Sequence, residues 1–248
     1  MATLVIGIEQ GWAWILPKSD EEIVALGQRY MAQEAKLAPA AQLAWPPFSE
    51  MEARVTAAAA ALEAARQAEY RRSSASIKFH NAIGQAKPLL KEAFVQLKWA
   101  QRHNLGALER WGLATKLGQR VSVRVAYPRN ELDWAAFLQS YVKRELSLPE
   151  AERLTAPDLA QVQALAQQAA TARAERDAAQ NKREIATSQV TQSVGPLLDW
   201  LQLALGVLVL TRFERQVTPA LEDWGYNIIE KRRRGRKASP PAHTPAAS

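Results

Sequence analysis

The chain has 248 residues, is 48% hydrophobic and contains no cysteine. Such a chain buries a substantial core and is not disordered as a whole, and without cysteine it has no disulfide, thiolate metal site or cysteine nucleophile. The net charge of +7 is local: Lys231, Arg232, Arg233, Arg234, Arg236 and Lys237 are six of 32 basic residues, which leaves 26 against 25 acidic residues elsewhere, so the pI near 9.8 describes one short segment and not a basic face on the fold.

The first nine residues have no basic stretch and too short an apolar run for a secretory signal, so a cytoplasmic location is expected. Leu4, Ile6 and Ile8 alternate weakly, as either a short strand near residues 3–8 or an apolar arm. Ser19 followed by Glu22 reads as a capping box that opens a helix with Ile23, Leu26 and Tyr30 on its inward face. After Trp45-Pro46-Pro47, residues 49–83 lack proline and glycine and predict a long helix, on the order of 50 Å at about 1.5 Å per residue. Its inner stripe is mostly small, with Ala58, Ala59, Ala61 and Ala65 beside Val55 and Leu62. At Gly84 to Pro88 the chain either reverses or kinks. Glycine before proline is an end-then-start pairing, which favours reversal into a third antiparallel helix over 88–103, carrying Leu89, Leu90, Phe94 and Leu97. The unit closes on a short turn in which Leu108 and Trp111 project to one side and Gly112 takes the left-handed conformation that ends it.

The second half follows the same plan. Residues 121–127 alternate and predict a brief extended piece before Pro128. Asn130 with Asp133 is a looser helix start, before an inward face of Trp134, Phe137 or Leu138, and Tyr141. Past Ala156-Pro157 a long helix over 158–194 carries Ala166, Ala169, Ala170 and Ala172 beside Leu159 and Val162, and is interrupted at Gly195-Pro196. The segment 197–210 is strongly apolar but short for a membrane span and contains Asp199 and Gln202, so it reads as a helix buried on several sides or a subunit contact. Leu221, Trp224 and Gly225 close this half as Leu108, Trp111 and Gly112 close the first.

The parallel is a duplication. Ala107-Leu108-Glu109-Arg110-Trp111-Gly112 returns as Ala220-Leu221-Glu222-Asp223-Trp224-Gly225, with five of six residues identical, and a spacing of 111 pairs Pro17 with Pro128, Ala25 with Ala136, Tyr30 with Tyr141, Glu34 with Glu145 and Pro46 with Pro157. The expected fold is all-α: a tandem duplication of a three-helix unit, 1–118 and 119–229, packed as one elongated bundle, with a basic tail over 230–248 that forms no packed structure.

No motif carries catalysis. His80, His103 and His243 stand in no metal-binding spacing, and there is no dinucleotide fingerprint, P-loop or nucleophile elbow. The paired acids Glu21-Glu22 and Glu50/Glu52 are helix-start residues. No catalytic, cofactor or metal residue is therefore predicted. The six tail cations suit phosphate, an anionic membrane surface or an acidic protein patch, or simply a solvated terminus, and no interleaved aromatic supports base stacking.

The layout of Pro-x-Ser/Asn-Asp/Glu before a first amphipathic helix, a long Ala-rich helix and a closing Trp111-Gly112-Leu113 resembles helical units of uncharacterised bacterial proteins, some followed by a β-sandwich module. The resemblance spans about residues 16 to 113 and 127 to 226 and implies no activity. The expectation is a non-enzymatic structural or protein-interaction protein that self-associates or binds another protein, without a membrane span. The alternative is an accessory protein that binds nucleic acid through Lys231 to Lys237.

Overall fold

A computed structural model describes residues 12–117 and 123–230. Four α-helices dominate them: α1 (Asp20–Glu34), α2 (Phe48–Ala100), α3 (Glu131–Leu146) and α4 (Leu159–Thr211), with 3-10 turns at Leu105–Trp111 and Pro219–Trp224. Strand β1 (Trp12–Ile15) pairs antiparallel with β4 (Asn227–Glu230), and β2 (Thr115–Leu117) with β3 (Val123–Val125). The chain is all-α with two small two-stranded sheets. The extended piece expected near 121–127 appears as β3, whereas residues 3–8 lie outside the described residues.

The reversal expected at the two prolines does not occur. Pro88 lies inside α2 and Pro196 inside α4, each helix running unbroken for 53 residues, so neither 88–103 nor 197–210 is a separate helix. The apolar stripe explains why. Buried Phe79, Ala82, Ile83, Ala86, Leu90, Ala93 and Leu97 keep helical phase across Pro88, as Val190, Val194, Leu197, Leu201, Ala204 and Leu208 do across Pro196. Continuing the helix keeps each stripe on one face and so in the core. That gain outweighs the roughly 3 kcal/mol that an interior proline costs.

This continuity decides how the sequence is shared out. One compact unit is Met1–Glu63 with Thr187–Ser248, and the other is Ala64–Ala186. Because α2 and α4 each pass from one unit to the other, the units do not follow the sequence halves 1–118 and 119–229. In the first unit α1 packs on the closing turn of the second sequence half, with Tyr30 and Trp224 rings 5.6 Å apart. In the second, α3 packs on the closing turn of the first half, with Tyr141 and Trp111 rings 5.8 Å apart.

Within the first unit the core gathers Ile23, Leu26, Tyr30, Met51, Val55, Leu197, Leu201 and Leu208. An added Cβ on Gly27 would come within 2.8 Å of Val55 Cγ2 and 3.5 Å of Leu197 Cδ2, so this glycine lets α1 lie close on both long helices. Tyr226 is buried against Trp14 and donates its hydroxyl to the Leu201 carbonyl at 2.8 Å. The apolar C-terminal part of α4 includes an 18-residue window of mean hydropathy 1.7, which by length and composition alone would suit a membrane crossing. Here Leu201, Ala204, Leu205, Leu208 and Val209 of that part are buried in the unit's core.

Within the second unit α2 and α4 run antiparallel. Arg183 Nε donates to Glu69 at 2.5 Å, and Lys78 Nζ to Glu175 at 2.9 Å. The core is Phe79, Ile83, Leu90 and Leu97 of α2, Trp134, Phe137, Leu138 and Tyr141 of α3, and Val162, Ala166 and Ala169 of α4. Both Phe137 and Leu138 are buried, where the periodicity had left the choice open.

The helix caps reverse their expected ranking. Asn130 and Asp133 form the complete capping box, while Ser19 accepts from Glu22 N but the Glu22 carboxylate takes the N–H of Lys18, one residue earlier.

Candidate functional site

Each closing turn ends on a glycine with positive φ. Gly112 has φ +81° and Gly225 φ +89°, conformations that a side chain strains. Leu108, Trp111, Leu221 and Trp224 are all buried, while Gly112 is exposed and Gly225 half-buried. Lys231, Arg232, Arg233, Arg234, Arg236 and Lys237 lie outside the described residues.

A second paired feature is a carboxylate that pins a loop. Glu34 ends α1 and Glu145 falls at the end of α3, and each is only 1% exposed. Glu34 Oε1 accepts the N–H of Leu43 at 2.5 Å, and Glu145 Oε2 accepts that of Leu154 at 3.2 Å. Each bond fixes the connection into the following long helix, just before the cis prolines Pro46 and Pro157. One oxygen of each carboxylate is buried without a partner. Burial pushes the Glu145 carboxyl above its ordinary range, against the opposing pull of the Leu154 N–H and the charge of Arg153. Burial, helped by the neighbouring glutamate, likewise raises the phenols of Tyr30 and Tyr141. Spacing alone paired Glu34 with Glu145, but their role depends on loop backbone that only the fold brings to them.

Each unit also carries a cleft: in the first, β1, β4, α1 and the turn ending at Gly225 meet there, and in the second β2, β3, α3 and the turn ending at Gly112. The cleft of the second unit, about 1050 Å3, is lined by Leu113, Lys116, Arg124, Val125, Tyr127, Arg129 and Asp133. That of the first unit, about 650 Å3, is lined by Trp14, Lys18, Glu22, Arg29, Glu222 and Tyr226. Lys18 and Arg129, and Glu22 and Asp133, stand at the repeat spacing of 111. The charges differ: three cations face one carboxylate in the second unit, whereas two cations face two carboxylates in the first.

Sequence reasoning missed the Lys116, Arg124 and Arg129 group. Arg124 inside an alternating Val-Arg-Val run was a visible signal, but its juxtaposition with Lys116 needs the hairpin register. Among the described residues no group of three or more His, Asp or Glu is placed to hold a metal ion. His80 instead contacts Glu131. No protein-family model, curated protein or solved structure matches the chain.

Proposed function

We propose that this chain is a non-enzymatic interaction protein that self-associates through the middle stretches of its long helices. The carrying observation is the set of large apolar side chains presented to solvent there: Tyr70 is 77% exposed, Ile77 59% and Ile185 61%. Tyr70 and Ile77 are seven residues apart and share one face of α2. Isolated exposed apolar residues are ordinary on a surface. The same stretches also carry a furrow of about 410 Å3, lined by Ala64, Ala68, Ala178, Ala179 and Ala186 together with Gln67, Arg71, Glu175 and Lys182. Repetition of the same turns and buried glutamates in both halves supports the duplication and a framework role for these residues.

Sedimentation over a range of concentrations tests this. The parent chain is expected to associate as concentration rises, and Tyr70→Arg with Ile77→Glu to remain monomeric with unchanged helix content. A parent chain that stays monomeric at every concentration overturns the reading.

The second reading, binding of nucleic acid by the terminal segment, is favoured by six cations within seven residues. Its affinity should fall with salt at a logarithmic slope of about 0.9 per phosphate contacted on duplex DNA. Removal of residues 231–248 should abolish it, and equal low-salt binding by the two forms would rule it out.

A further inference from the structure

We propose that the cleft of the second unit docks an extended acidic peptide segment of a partner protein; this gives the interaction reading a partner chemistry and rests on it. Lys116 of β2 and Arg124 of β3 are direct cross-strand partners, so both side chains leave the same face of the hairpin, and both line this cleft. Like charges directly opposite each other destabilise a strand pair, and an isolated two-stranded ribbon is marginal to begin with. Arg129 brings a third cation to the same wall. The one lining carboxylate, Asp133, is turned to the backbone N–H groups of Arg129 and Asn130, at 3.1 and 3.4 Å. Lys116, Arg124 and Arg129 are exposed, and none makes an ion pair among the described residues. An anion seated in the cleft relieves the repulsion that the fold builds into its hairpin.

The rest of the lining selects the kind of anion. Ala114 and Val125 are aliphatic and accessible, and suit aliphatic side chains. The aromatic residue, Tyr127, packs edge-to-face with Phe94 and with Trp134, each with centroids 5.1 Å away, and is 43% exposed. A segment alternating acidic and aliphatic side chains satisfies both walls when extended, and a two-stranded sheet has outer edges to which such a segment can add. The first unit supplies the internal control, since its cleft at the matching place balances Lys18 and Arg29 with Glu22 and Glu222.

Fluorescence anisotropy of a labelled peptide of about ten alternating Glu and Val residues, at about 0.15 M salt where distant charges are screened, tests the proposal. The full-length chain and a form ending at Glu230 should both bind. Lys116→Glu with Arg124→Glu should weaken binding by at least about tenfold, and Lys18→Glu with Arg29→Glu should leave it unchanged. Circular dichroism checks the folding of each variant, and Lys116→Gln with Arg124→Gln replaces the charge reversal should that one fail to fold. The proposal is overturned by a full-length chain that does not bind, by loss on truncation at Glu230, or by an unaffected Lys116/Arg124 variant. A thymidine oligonucleotide of equal charge that binds more tightly than the peptide, and loses this with the same variant, overturns it in favour of nucleic acid. Sedimentation separates the two readings: a parent chain that binds the peptide but remains monomeric defeats self-association alone.

Discussion

Glu145 accepts the backbone N–H of Leu154 at 3.2 Å, nine residues on, while its other carboxylate oxygen is buried with no partner. Burial raises the carboxyl in the folded state. A group with a raised folded pKa gives its full stability below the unfolded value, about 4.3, and loses it as pH rises through the folded value. Urea midpoints measured from pH 4 to pH 7 should therefore carry a downward contribution from Glu145 that is missing in Glu145→Gln. Parallel profiles for the two proteins would show that this carboxyl does not titrate as argued. Glu145→Ala, which strands the Leu154 N–H, should cost about 1–3 kcal/mol at pH 4 and less as pH rises.

Two kinds of glycine should respond oppositely to alanine. A Cβ on Gly112, at φ +81°, would lie 2.5 Å from Ser140 Cβ, and one on Gly225, at φ +89°, would lie 2.8 Å from Arg29 Cβ. Each of these substitutions should destabilise by about 1–3 kcal/mol. Gly84 and Gly195 are helical with open space where a Cβ would go. Alanine there should stabilise by about 0.5–1 kcal/mol. Melting temperatures that fall for all four would contradict the continuous helices.

The prolines give a sharper test of the same continuity. Pro88 and Pro196 are both exposed, so alanine removes little packing while restoring a helical donor. Pro88→Ala and Pro196→Ala should each raise stability, by up to about 3 kcal/mol in urea unfolding. Reversal of the chain at these points would instead make both replacements neutral or harmful.

Tyr226→Phe removes the hydrogen bond that a hydroxyl buried in the first unit's core donates to Leu201 O at 2.8 Å. The cost should be about 0.5–1.5 kcal/mol, with the ring contact to Trp14 kept. Trp224→Ala, which empties the space against Tyr30, should cost about 3–5 kcal/mol. Comparable losses for the two would mean that Trp224 does not pack as described.

Local signals were enough to determine which segments are helical and which residues point inward. Apolar spacing marked Ile23, Leu26 and Tyr30, and Trp134 and Tyr141, because the helical period is a property of the backbone and needs no partner. The glycines at 112 and 225 were legible for the same reason, since a left-handed cap follows from local sterics. The unbroken phase of buried residues across Pro88 and Pro196 was also written in the chain, but its weight against a proline penalty depends on how much surface the other elements cover. Only the tertiary structure decided that balance, and with it which closing turn meets which first helix. The same holds for the site: Glu145 meets Leu154, and Lys116 stands opposite Arg124, through loop closure and strand register, and neither is encoded by the period of any single segment.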